Sequence, residues 1–225
     1  MSKYTAVIIE PRVHRALPFV LENILKNLSD EWNVIIFHGN KNIEYLQYII
    51  YNRLMNYIKR LTLINLNVDN LSITEYNLLV TTPKIYNYIP TEVFLFFQTD
   101  SMILEKNKHL INEFLEYDYV GAPWNHLPIN QTERVGNGGF SLRRKSKMLE
   151  ILERVPYNGK NEDIFFCFQP NINVHKPPFE KAKLFSVEET FSPVTFACHK
   201  PWNRCLDKKF MDLYPETYEL YNLNK

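Results

Sequence analysis

Four apolar runs, Tyr4–Glu10, Trp32–Phe37, Leu61–Leu66 and Val93–Phe97, alternate with longer amphipathic stretches, and this alternation leaves few folds open. Each run is nearly continuous in apolar residues, as in the VFLFF of Val93–Phe97, and so reads as a strand covered on both faces. Between the first two runs, Arg12–Leu28 places Val13, Leu17, Val20, Leu21, Ile24, Leu25 and Leu28 at the i, i+3/i+4 spacing of a helix with one buried face. Asn42–Ile58 is helical in pattern before the third run, and a helical stretch around Ile73–Val80 precedes the fourth. That order predicts an α/β fold, Rossmann-like, with a mainly parallel sheet flanked by helices. Ligands of such sheets bind at the carboxyl ends of the strands, which puts Glu10, His38 and Gln98–Asp100 on one rim.

After Gly121 prolines and turns become frequent. Lys106–Glu116 and Arg144–Val155 read as helices, Tyr119–Gly121 and Gly139–Arg143 as short strands, and Asp163–Phe168 as one or two helical turns. With no repeat and no linker, a chain of 225 residues suits a single domain, residues 1–225. Hydrophobic residues at 45% and charged residues at 23% argue against disorder. A net charge of +1, with no basic run longer than Arg143–Lys145, lacks the electrostatic footprint of a nucleic-acid binder. The apolar run Ala6–Ile9 is far too short for a signal peptide or a membrane span, so a cytoplasmic protein is expected. Cys167, Cys198 and Cys205 form no CxxC pair and read as reduced thiols.

Five segments carry the chemistry. Gln98-Thr99-Asp100 follows the most apolar strand directly, where a carboxylate can ligate Mn²⁺ or Mg²⁺ on a diphosphate; a plain turn cap is the alternative. Gly136-Asn137-Gly138-Gly139-Phe140 holds three of the chain's six glycines, so its backbone needs positive φ or lies against something bulky, unless it is only a tight turn or bulge. Asn161-Glu162-Asp163 opens a short helix, and its acids either serve the helix dipole or act on a substrate. His199-Lys200-Pro201-Trp202 offers an imidazole for a divalent cation and a cation for a diphosphate, against a structural role for a lone histidine. Trp124, after Pro123, either stacks on a sugar face or packs in the core. His14, His109 and His175 have no acid or cysteine partners at metal spacing, and there is no Walker A loop, G-x-S-x-G elbow or GxGxxG.

An acid after a buried strand, a glycine-rich bend, an acid pair and a late histidine, in that order, resemble sugar-nucleotide-dependent glycosyltransferases of GT-A architecture. Gln98–Asp100, Asp118–Trp124 (DYVGAPW) and Gly136–Arg143 (GNGGFSLR) resemble a family of predicted glycosyltransferases with QTD, DYxGAPW and GNGGFSLR segments. The resemblance runs from about Val7 to Trp202. It implies a single GT-A-like domain, with residues 1–105 as the nucleotide-binding half and residues 106–225 as the acceptor-side half. It further implies a nucleotide-sugar donor held near Glu10, Arg12, His38, Gln98, Thr99 and Lys200, and a divalent cation on Asp100 and His199. The acceptor, a glycan, protein or small molecule, would rest near Trp124, Gly138, Gly139 and Phe140. Asp163 would be the general base of an inverting transfer, with Glu162 organising the site.

The segment departs from the D-x-D pattern of GT-A enzymes because Gln98 stands where the first acid usually is. That favours one rival, a glycan- or nucleotide-sugar-binding protein without turnover. The other, a nucleotidyltransferase, would carry a glycine-rich basic loop after the first strand, where this chain has Glu10-Pro11-Arg12.

Overall fold

The computed structural model describes residues 2–125, 134–202 and 207–225, so Cys205 lies outside the described residues. Strands β1 (Tyr4–Ile9), β2 (Trp32–His38), β3 (Leu61–Asn65) and β4 (Val93–Phe97) lie in the order β3-β2-β1-β4, all parallel. β7 (Phe140–Arg144) pairs antiparallel with β4, and β6 (Tyr119–Val120) antiparallel with β7, to complete a six-stranded sheet among the described residues. A second, three-stranded sheet joins β5 (Ser101–Ile103), β9 (Ala197–His199) and β8 (Ser186–Val187) in the order β5-β9-β8. The helices are α1 (Leu17–Asn27), α2 (Ile43–Ile49), α3 (Ile73–Val80), α4 (Pro83–Tyr86), α5 (Lys145–Arg154), α6 (Glu162–Cys167), α7 (Phe179–Ala182), α8 (Asp207–Leu213) and α9 (Thr217–Leu223).

The apolar runs of β1, β2 and β4 are explained by burial on both faces, whereas the edge strand β3 is only half-buried. Ala6, Ile8, Val34, Ile36, Leu95 and Phe97 join one core cluster, which includes Leu17, Val20, Leu21 and Ile24 of α1. Their neighbours Val7, Ile35, Phe37, Phe94 and Phe96 point the other way, into a cluster with Tyr86, Met148, Ile151 and Phe165. With period 2 and both faces dry, the middles of β1, β2 and β4 carry no polar residue.

Three helical expectations need correction. α1 begins at Leu17 rather than Arg12 because Pro18 lacks an N–H and fits only the first turn; before it, the Ala16 N–H donates to His14 Nδ1 at 3.1 Å. The stretch expected to be one helix over Asn42–Ile58 is α2, then a π-helical turn at Ile50–Leu54, then a 3₁₀ helix at Met55–Arg60. The 3₁₀ segment Glu105–Glu113 stands where an α-helix over Lys106–Glu116 was expected. The second sheet and the C-terminal helices α8 and α9 have no counterpart in the sequence-based expectation. Among the described residues no helix is long and apolar enough to cross a membrane.

Arg60, at the end of the 3₁₀ segment, satisfies the end of α1. Its guanidinium donates to Leu25 O (3.0 Å), Leu28 O (3.1 Å), Ser29 O (3.0 Å) and Trp32 O (2.9 Å). Carbonyls at a helix C-terminus have no partner within the helix, and a planar fork with five donors reaches several at once. Arg60→Ala should lower the unfolding free energy in urea by about 2–3 kcal/mol, and Arg60→Lys should recover only a fraction. Equal stability of wild type and Arg60→Ala would remove this capping role.

Candidate functional site

At the carboxyl ends of β1 and β4 the structure opens a cavity of about 430 Å³. Its wall is assembled from Glu10 and Arg12 after β1, Gln98–Asp100 after β4, Asn137–Gly139 before β7, Asn161–Asp163 at the start of α6, Glu188, and His199–Lys200 at the end of β9. Residues 70–73, Tyr76 and Asn77 close the remaining side.

The short pairing of β5 with β9 sets Ser101 opposite His199, so the residues just outside the ladder meet. The Lys200 N–H donates to Asp100 O at 2.9 Å. His199 Nε2 lies 3.1 Å from Asp100 Oδ1, and Lys200 Nζ lies 3.4 Å from Asp100 Oδ2. On the far side of the ring, His199 Nδ1 lies 3.3 Å from Glu188 Oε1. Lys200 adopts φ +44°, a left-handed conformation unusual for a residue with a side chain. Burial opposes the charge on Asp100, but His199 and Lys200 outweigh it and hold the carboxyl well below the usual range. Burial likewise opposes a proton on His199, yet Asp100 and Glu188 push its pKa up to about 9.

These residues suit a divalent cation as a partial ligand set. Asp100 Oδ1 and both ring nitrogens of His199 are buried without a well-aligned hydrogen bond, although they sit at ion-pair distance. Among the described residues no cluster of three His, Cys, Asp or Glu side chains forms a complete protein cage. A cation held here would therefore take most of its oxygens from a bound phosphate and from water, the usual habit of Mg²⁺ beside nucleotides.

The glycine segment is shaped by what lies on either side of it. A Cβ at Gly139 would overlap the His199 ring, and a Cβ at Gly138 would overlap Glu162 Oε1. The bend is thus pressed between the imidazole and the start of α6, and bulk is excluded for steric reasons rather than by dihedral demand. Asn137 ties the bend down: its Oδ1 accepts from the Gly139 N–H at 3.0 Å and its Nδ2 donates to Glu188 Oε2.

Behind the bend, Arg143 on β7 is wholly buried and forks onto Glu162, with Nη1–Oε2 at 2.6 Å and Nη2–Oε1 at 2.9 Å. Its guanidinium lies over the rings of Phe96 (4.7 Å) and Tyr119 (4.8 Å). Asp163, the next residue of α6, accepts from the Gly138 N–H at 3.2 Å and from the Ile164 N–H at 2.7 Å. Burial first, and the Glu162 charge second, raise the Asp163 pKa to about 6. The carboxylate is therefore ionised at neutral pH yet basic enough to accept a proton, the balance a general base needs.

The structure brings Glu10, Arg12, Gln98, Thr99, Asp100, Gly138, Gly139, Glu162, Asp163, His199 and Lys200 to one cavity. It places three expected residues elsewhere. His38 is buried with Nδ1 2.8 Å from Gly39 O, which makes it part of the β2 turn. Trp124 is a core residue stacked on Phe168, with ring centroids 5.9 Å apart, and Phe140 packs on Phe185 and Phe196. Glu10 is occupied by Arg12, which donates to its two carboxylate oxygens at 2.8 Å each. Glu188, Tyr76 and Asn77 were not singled out in the sequence, and Asn137 and Arg143 entered only as members of the GNGGFSLR segment. Glu188, Tyr76 and Asn77 carry no local pattern, whereas Arg143 was detectable as a charge between Leu142 and Arg144 in a short strand.

No curated protein matches the chain significantly. Among solved structures, the galactosyltransferase LgtC, determined with donor and acceptor sugar analogues, superposes with a TM-score of 0.56 at 13% identity, over 97% of this chain and 94% of that one. The glycosyltransferase GlyE of Streptococcus pneumoniae gives a TM-score of 0.52 at 11% identity, over 96% of this chain and 62% of its own. HddC of Yersinia pseudotuberculosis, complexed with GMP-PN, gives 0.50 at 15% identity over 77% and 88%. At these identities the likeness is one of fold, and the fold is that of GT-A glycosyltransferases. The profile of one family, described as proteins of unknown function (DUF5672), matches residues 60–199, well over half of the chain including every cavity segment except the β1 end and Lys200. The chain belongs to the DUF5672 family.

Proposed function

We propose that this protein is a glycosyltransferase that moves a sugar from a nucleotide-sugar donor to an acceptor hydroxyl, with a divalent cation on Asp100 and His199 and with inversion at the anomeric carbon. The observation that carries the proposal is that Asp100, Asp163 and the pair His199-Lys200, separated from one another by at least 36 positions, converge on one cavity at the carboxyl ends of parallel strands. A cation held there supplies charge neutralisation to a departing diphosphate. Lys200 adds a donor and a positive charge on the same side. Asp163, beside Gly138, takes the proton of the acceptor hydroxyl. The acceptor oxygen then bonds to the anomeric carbon as the bond from that carbon to the diphosphate oxygen breaks, and the nucleoside diphosphate leaves. Glu162 is engaged by Arg143, so its part is to place Asp163 rather than to exchange protons. Gln98 lines the same cavity as an uncharged neighbour of Asp100, leaving Asp100 and His199 as the ligand pair.

Asp100→Asn should abolish Mn²⁺-dependent binding of sugar nucleotides, read by isothermal titration across several donors, with the thermal transition retained. Unchanged Mn²⁺-dependent affinity in that variant would remove Asp100 from the site. Absence of any sugar-nucleotide binding by the wild-type protein would sink the transferase reading itself.

Asp163→Asn should cut turnover by about 10²–10⁴-fold with little change in donor binding. Because the base must be ionised, wild-type turnover should fall as the pH drops through about 6. A product that keeps the donor's anomeric configuration would exclude Asp163 as the base.

Gly139→Ala tests the imidazole's place without substituting a ligand. The added methyl must displace the His199 ring. Cation affinity should fall at least about tenfold, a weakening typical when a metal-binding histidine loses its orientation. Wild-type Mn²⁺ affinity in Gly139→Ala would show that the ring's seat on Gly139 is irrelevant to binding.

A further inference from the structure

Arg143 is the largest side chain of the described residues with no exposed surface, and it stands on a strand whose other inward positions are apolar or small. A buried guanidinium with one carboxylate partner is seldom a cheaper filling than a hydrophobic side chain of similar volume, so its presence asks for a reason beyond stability. The hydrogen bonds around it supply one. Gly138 and Arg143 belong to the same short segment, and that segment grips α6 at two successive residues. The Gly138 N–H holds Asp163, and the Arg143 fork holds Glu162. The grip is braced from within, because Arg143 Nε donates to Ser141 Oγ at 2.9 Å and Ser141 Oγ lies 3.2 Å from Gly138 O. From the other side, Asn77 Oδ1 of α3 accepts the Glu162 N–H at 3.1 Å.

We infer that Arg143 is a positioning residue for Asp163: by clamping Glu162 it fixes the first turn of α6, so that the Asp163 carboxylate stays on the Gly138 amide at the cavity wall. The inference rests on the reading of Asp163 as the general base. A rotation of that first turn by a fraction of a residue would carry Asp163 off the Gly138 amide. Arg143 also offsets the Glu162 charge, which otherwise bears directly on Asp163. The other titratable groups around Asp163 are Tyr76, Tyr119 and Cys167. Burial raises all three far from neutrality, Cys167 to about 12, so none of them titrates near Asp163.

Two variants and two readouts decide the matter. The Gly138 amide resonance in the cation-free protein reports the ionisation of Asp163 through their shared hydrogen bond, with a wild-type midpoint expected at about 6. Arg143→Lys keeps the charge and loses the fork. It should cut kcat by about 10–100-fold, leave the donor KM unchanged and broaden or shift the Gly138 titration. Arg143→Gln removes the charge as well and should move the Gly138 midpoint, and with it the acid limb of the rate profile, upward by about one pH unit. If Arg143→Gln fails to fold, Arg143→Lys alone carries the test. A folded Arg143→Lys with unchanged Gly138 titration and unchanged kcat overturns the inference. A wild-type protein without turnover on any sugar nucleotide sinks the transferase reading instead, and the Gly138 titration then still decides whether Arg143 positions Asp163.

Discussion

A ladder of three residue pairs between β5 and β9 is the constraint on which the cavity depends. Asp100 and His199 are 99 positions apart, and the chain between them contains a crossing of the main sheet, two strands of its edge and the whole of α5 and α6. Closing so long a loop costs conformational entropy, and a ladder this short cannot offset that cost by its own hydrogen bonds. What secures it is burial: Met102, Ile103, Ala197 and Cys198 are all in the apolar cluster that lies beneath α1. Removing that packing would free the two ends of the site from each other before it disturbed the main sheet.

The division of labour between core and rim follows from the same physics. Three parallel strands, β1, β2 and β4, largely covered on both faces leave polar chemistry mainly at their ends, and the carboxyl ends are where the loops are free to vary. The cavity is accordingly built from strand ends, loops and residues of α3 and α6, and behind it stands Arg143. Its charge sits inside the sheet layer, among aromatic rings, with a single carboxylate as partner. A charge so placed costs more to strand than to keep, which makes β7 and the start of α6 a mechanically joined pair.

The sheet was legible because its signal is local and repeated: each of β1 to β4 is an apolar run, and the structure moves their ends by no more than a residue or so. The segments Gln98–Asp100, Gly138–Gly139, Glu162–Asp163 and His199–Lys200 were legible because each joins an unusual composition to a strand end or helix start. The π and 3₁₀ turns after α2 were not, since their residues keep a helical periodicity and differ only in hydrogen-bond offset. Glu188 was invisible because nothing around it in the sequence is unusual; only the folding of β8 beside β9 carries it to His199. His38 misled for the opposite reason. It occupies the carboxyl end of its strand, as expected, but a turn tied by Asn42, which accepts from the Gly39 N–H and donates to Glu10 O, shuts it away from the cavity.

Lys200 closes β9 at φ +44°. For a residue with a Cβ this conformation costs roughly 1–2 kcal/mol relative to the ordinary right-handed one, a cost that glycine does not bear. The backbone at this point would be more comfortable with a residue that has no side chain, and the residue present has one of the longest. An ammonium at that point of the wall is thus held against the preference of the chain that carries it. Screening this protein for thermal stability alone would favour replacements at position 200 that strip the cavity of the ammonium beside Asp100, so heat resistance and retention of that charge pull this one residue in opposite directions.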